Sequence, residues 1–190
     1  MNDWVKVAAI NAGELMVHFE LGDKAVEVLH PELNPQGGVQ ALMAAGCYFE
    51  AIKLLAHGLP KREAVWWACL AARQLQTHET DELNISALIA AEAWAKKPSE
   101  VNRQRCKELA RKTKYETPAS WAATAASWST GSLAEPGEPE VAPPEFLYAH
   151  AVAGSVTLAG GMLNVDDPTE GMKHFIEQGI NLAEGGNGLI

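Results

Sequence analysis

A chain of 190 residues can bury roughly 70% of its unfolded surface, so it needs neither disulfides nor a metal to build a core. Its formal net charge of −9 argues against nucleic acid and anionic membrane as partners. Its three cysteines, Cys47, Cys69 and Cys106, show no CxxC spacing and suit buried thiols in a reducing compartment.

The beginning of the chain, MNDWVKVAAINAGEL, has an acidic Asp3 and no long apolar run, so no secretory leader is expected and a cytoplasmic location is. Asn11 suits the cap of a first short helix ending near Leu21–Gly22, and Asp23 the cap of a second, stopped by Pro31. Asn34-Pro35 pairs a cap with a first-turn proline and opens a long helix running through Val39, Leu42, Met43, Gly46, Phe49 and Leu54 to Gly58. Pro60 starts the next helix after almost no loop, which demands a tight αα-hairpin or corner.

A polar stretch, QTHETDE, precedes a helix over Leu83–Ala95 with Ile85, Leu88 and Ile89 turned inward. Pro98-Ser99 opens a basic helix to about Lys112, and Thr117-Pro118 opens PASWAATAASWSTGS. Trp121 and Trp128 lie seven residues apart there, nearly superimposed on one face, and are expected to pack inward. Residues 131–144, GSLAEPGEPEVAPP, lack periodicity and read as an extended, proline- and glutamate-rich connector. Phe146–Leu163 is about long enough to span a membrane, but His150, Ser155, Thr157 and its many small residues favour a buried central helix. An amphipathic helix from Pro168-Thr169 to about Ala183 follows, and 185–190 read as a frayed, flexible tail. The expected fold is therefore all-α: one domain over 1–190, an array of about seven to nine helices built from αα-hairpins.

Chemical motifs are sparse. No nucleophile elbow, phosphate loop or paired metal-ligand spacing occurs, and no catalytic residue, metal or cofactor is assigned. The six histidines are dispersed; His150 is the most unusual, because it lies in a neutral apolar helix. Two groups of residues stand out. In Leu59–Arg73, LPKREAVWWACLAAR, Trp66 and Trp67 point about 100° apart, so they cannot share one narrow core stripe. Arg62, Trp66 and Arg73 fall along one side, with Glu63 in the first turn, which suits either an interhelical clamp or a recognition face. In the second group, Arg103, Lys107 and Arg111 form a row within a segment, Lys96–Lys114, that carries eight cations and two acids. That row is expected to face solvent as an electrostatic docking surface, bare for an acidic partner or covered by Glu135–Glu140 of the connector.

The motifs LPKREAVWWACLAAR, PASWAATAASWSTGSLA (Pro118–Ala134) and AVAGSVTLAG (Ala151–Gly160), with the proline-rich connector between the last two, resemble a bacterial family of unknown function over about Glu14–Ala183. The resemblance implies an accessory, adaptor or chaperone-like role, since such genes often lie near type VI secretion components. It carries over no site residue.

Two readings follow. One is a non-enzymatic protein-binding factor that uses Arg62, Glu63, Trp66, Trp67, Arg73, Arg103, Lys107 and Arg111 to engage a secretion effector or spike component. The other is a small-ligand-binding protein or enzyme whose pocket joins Arg62, Glu63 and Trp66 to Trp128 and His150. The oligomeric state is left open by the sequence.

Overall fold

The computed structural model describes residues 4–190 apart from 136; Asp3 and Pro136 therefore lie outside the described residues. Ten helices and no strand occur among the described residues: α1 (Gly13–Met16), α2 (Asp23–Val28), α3 (Pro35–Ala44), α4 (Tyr48–Gly58) and α5 (Lys61–Gln74), then α6 (Glu82–Lys96), α7 (Glu100–Lys112), α8 (Pro118–Trp128), α9 (Leu147–Leu163) and α10 (Pro168–Ala183). The all-α expectation holds, with one helix more than the upper end of the anticipated number.

Helix starts follow the cap chemistry of the sequence. Asn34, Ser99 and Thr117 each accept the backbone N–H three residues on, and Asp81 and Asp167 cap α6 and α10. The extra helix arises at Gly46. Its φ of +75° favours glycine, the Gly46 N–H donates to Met43 O and the Cys47 N–H to Leu42 O. These are the two bonds of a Schellman stop, so the single helix expected over 34–58 is two. The first helix is also shorter than expected. Past Met16 the backbone finds tertiary partners instead of helical ones: Lys53 Nζ donates to Glu20 O at 2.9 Å and the Gly22 N–H donates to the Glu50 carboxylate at 3.4 Å.

Helices α6, α7 and α8 touch one another, as do α4, α9 and α10; α8 and α9 join the two groups directly, and α5 packs against α6, α8, α9 and α10. Ala64, Val65, Trp67, Ala68, Cys69, Leu70, Ala71 and Ala72 are all buried, as a helix wedged between two groups requires. Small residues let the helices approach closely: a side-chain carbon on Gly171 would collide with Gly160 O of α9. No helix of the described residues is long and apolar enough to cross a membrane, and α9 is the buried central helix that its small residues suggested.

Trp121 and Trp128 are half-buried rather than fully inward. Their rings meet edge-on at 6.4 Å, and Trp121 lies over Gly154 of α9, where an added carbon would stand 3.9 Å from the indole. All three cysteines are buried free thiols; burial holds the Cys69 thiol well above its ordinary value and pushes Cys106 up to about 12.

Candidate functional site

The adjacent tryptophans divide the two roles that their 100° separation demanded. Trp67 is wholly buried, and its Nε1–H donates to Phe175 O of α10 at 2.7 Å. Trp66 is half-buried and forms one wall of an open cleft of about 590 Å3 between α5, α6 and the segment after α10. Its Nε1–H donates to Asn187 O at 3.0 Å, so the indole offers the cleft its ring surface while its polar end is engaged. The closing segment makes fixed contacts: the Gly188 N–H donates to Asn181 Oδ1 at 2.8 Å, and Gly185, at φ +94°, ends α10 in a second Schellman turn.

The remaining cleft surface comes from both sides. Arg62 and Glu63 stand one turn before Trp66, whereas Ile89, Glu92, Ala93 and Lys96 line the α6 side and Leu182 the α10 side. Ile89 was expected inward and is 53% exposed. The buried face of α6 is set by Ala87, Leu88, Ala91, Trp94 and Ala95, and Ile89 falls about 100° away from Leu88, onto the cleft. Arg73 grips the Glu92 carboxylate through Nε at 2.9 Å and Nη2 at 2.6 Å, and the Arg62 Nε–H donates to Ala95 O at 3.0 Å. Both arginines thus clamp α5 to α6. Glu63 faces Lys6 Nζ at 3.4 Å. No side-chain alternation predicted Ile89, Glu92, Leu182 or Asn187 as neighbours of Trp66. Only the folded arrangement of α5, α6 and α10 brings them together.

Trp128 and His150 are not part of this cleft. His150 instead presents its ring edge-on to His57 at 4.9 Å, within a cluster that includes Phe19, Phe146 and His18. His57 is 2% exposed; Nδ1 lies 2.8 Å from Lys53 O, which accepts its proton, and Nε2 is buried with no hydrogen-bond partner among the described residues. Burial is the main reason its pKa falls to about 4, reinforced by neighbouring His150, His18 and Lys53. His150 is lowered too, by burial first and then by Lys53 and His18. No group of three or more His, Cys, Asp or Glu among the described residues is placed to hold a metal ion.

The basic row is divided as well. Arg103 does not face solvent: it is 1% exposed. It forks onto the Glu100 carboxylate at 2.7 and 2.6 Å while Nη1 donates to Ser127 O and Ser132 O, each at 3.1 Å. Lys107 donates to Leu133 O and Ala134 O and pairs with Glu135 at 3.1 Å. The connector therefore folds over this row, closed on itself by the Leu133 N–H donating to Val141 O at 2.8 Å. Arg111 remains exposed.

Neither a curated protein nor a solved structure matches the chain. Residues 38–183, from the middle of α3 to the end of α10, match the model of a family described as a family of unknown function (DUF6931), and the chain belongs to that family.

Proposed function

We propose that this protein is a non-enzymatic binding protein that holds a segment of a protein partner in the Trp66 cleft. The observation that carries the reading is the division of labour between the two tryptophans. Trp67 supplies the buried area that α5 needs, which leaves Trp66 on an open wall beside an exposed Ile89. An accessible indole flanked by arginine and aliphatic surface has the composition of a binding hot spot. Arg73 and Glu92 are committed to each other, which suits a rigid rim better than acid–base chemistry. The family resemblance adds the setting: an accessory or adaptor factor of type VI secretion in the cytoplasm, with an effector or spike component as partner.

The test uses tagged wild-type protein and a Trp66→Ala variant as baits in the source organism, with mass spectrometry of what is captured. A secretion effector or spike component held by the wild type and lost with the variant is the expected result. Identical captures from both baits would overturn the cleft as binding site. A partner that is lost with the variant but has no link to secretion would remove the secretion setting alone.

A further inference from the structure

We infer that the occupant of the Trp66 cleft is an acidic peptide segment anchored by an apolar side chain; the inference rests on the binding reading above and adds the sign and character of the partner. Among the described residues, four charged side chains line the cleft, and they are not equivalent. Glu92 is neutralised by the two-pronged contact from Arg73, and Glu63 faces Lys6. Both carboxylates therefore have cations from their own chain.

Arg62 and Lys96 have no carboxylate partner among the described residues. Arg62 commits only its Nε–H, to Ala95 O, so the outer edge of the guanidinium is open to a carboxylate from outside. Lys96 is exposed at the C-terminal end of α6, and its ammonium is likewise open. The cleft is thus locally cationic within a chain of net charge −9, so an acidic segment is drawn to it against the background field of the rest of the surface.

The apolar half of the argument comes from the cleft walls. Trp66 has its N–H engaged by Asn187 O, and Ile89 and Leu182 add aliphatic surface beside it. A ligand that had to hydrogen-bond an indole would find that donor taken; an aliphatic or aromatic side chain would find a ring face and a methyl-lined wall. At about 590 Å3 the space lies in the range of built binding clefts. The complementary segment therefore places an apolar side chain against Trp66 and Ile89, with Asp or Glu on either side reaching Arg62 and Lys96.

The experiment is a display selection of random 12-residue peptides on the immobilised full chain, followed by calorimetric titration of the selected peptides. Selected sequences should be enriched in Asp and Glu around one apolar residue. Their affinity should fall about tenfold or more with Lys96→Glu and with added salt. Trp66→Ala should abolish binding. The Lys96 side chain makes no hydrogen bond or ion pair among the described residues, so its variant keeps the test readable where Arg62→Gln disturbs the α5–α6 clamp. Circular dichroism confirms unchanged helix content. Neutral or basic winners, acidic winners indifferent to both Lys96→Glu and Trp66→Ala, or a selection that yields nothing above background would each overturn the inference. These outcomes leave the partner-capture test intact: loss of the captured partner with Trp66→Ala would still uphold a binding cleft, of different specificity.

Discussion

Gly179 of α10 lies directly beneath Trp67 of α5: a carbon added at Gly179 would stand 2.8 Å from Cε2 of the indole and 2.5 Å from a methyl of Leu55. The glycine is what allows a ring this large into the centre of the molecule, and α10 returns the favour by accepting the indole N–H at Phe175 O. Gly179→Ala should therefore overpack the core and destabilise the protein by about 1–3 kcal/mol. A urea denaturation midpoint no lower than that of the wild type would show that Leu55 and α10 yield without strain.

The two tryptophans should separate stability from binding. Trp67→Ala removes a fully buried ring and should cost about 3–5 kcal/mol. Trp66→Ala leaves a half-buried position and should cost a fraction of that while eliminating partner capture. Denaturation midpoints of the two variants, measured beside their binding, check the pair. Equal stability losses would mean that both rings serve the core.

Arg103 should behave as a staple. Arg103→Met strands the carbonyls of Ser127 and Ser132, and we expect a loss of about 2–4 kcal/mol together with rapid proteolytic cutting within 131–144. Gly131, at φ +70°, would bring a side-chain carbon to 2.6 Å from Arg103 Nε, so Gly131→Ala should loosen the same contact at a cost of about 1–2 kcal/mol from backbone conformation alone. The hydrogen bonds from Arg103 are also the chief reason Glu100 titrates near 2 rather than 4.5. A carboxylate depressed in the folded state contributes stability that is complete above about pH 4.5 and disappears as pH falls toward 2. Glu100→Gln should flatten that part of the stability–pH curve.

His57 acts in the same direction, in a higher window. Its pKa drops from 6.5 in the unfolded chain to about 4 in the fold, so between those values the unfolded chain binds the extra proton. Stability therefore rises with pH from about 4 to 6.5, by on the order of 3 kcal/mol, and is lost on acidification through that range. His57→Phe, whose ring fits between Phe19 and Phe146, should remove most of this slope and raise the denaturation midpoint at pH 5. A variant curve parallel to the wild type would assign the slope to other groups.

Local rules made most of the helices readable. Asn34-Pro35, Ser99, Thr117-Pro118 and the proline after Asp167 each satisfy a donor or set a backbone angle within one turn, and the helices begin where those residues stand. The split at Gly46 had a local signal too, a glycine following a completed helix, masked by the apolar residues on either side. The double tryptophan correctly announced two packing surfaces, though which ring faced which could not be read from spacing alone. Arg103 was misjudged because a row of cations looks solvated, and the groups that bury it are backbone carbonyls about 25 residues later, which carry no sequence signature. Spacing alone grouped Arg62, Glu63 and Trp66, which do line the cleft; its remaining wall and the His57 cluster escaped for the same reason: Asn187 lies 121 residues from Trp66, and no periodicity spans that distance.

The contacts that fix the 131–144 connector reach mainly its main chain. Arg103 takes Ser132 O and Lys107 takes Leu133 O and Ala134 O, atoms that every residue type supplies. Apart from Ser132, whose Oγ accepts the N–H groups of Ala134 and Val141, its side chains can therefore drift over generations without loosening the anchor, provided the turn at Gly131 and the spacing survive. Arg103 has no such latitude, since no other side chain forks onto a carboxylate while reaching two carbonyls. Among relatives of this chain, the connector should vary freely in composition while the helix beneath it keeps its arginine.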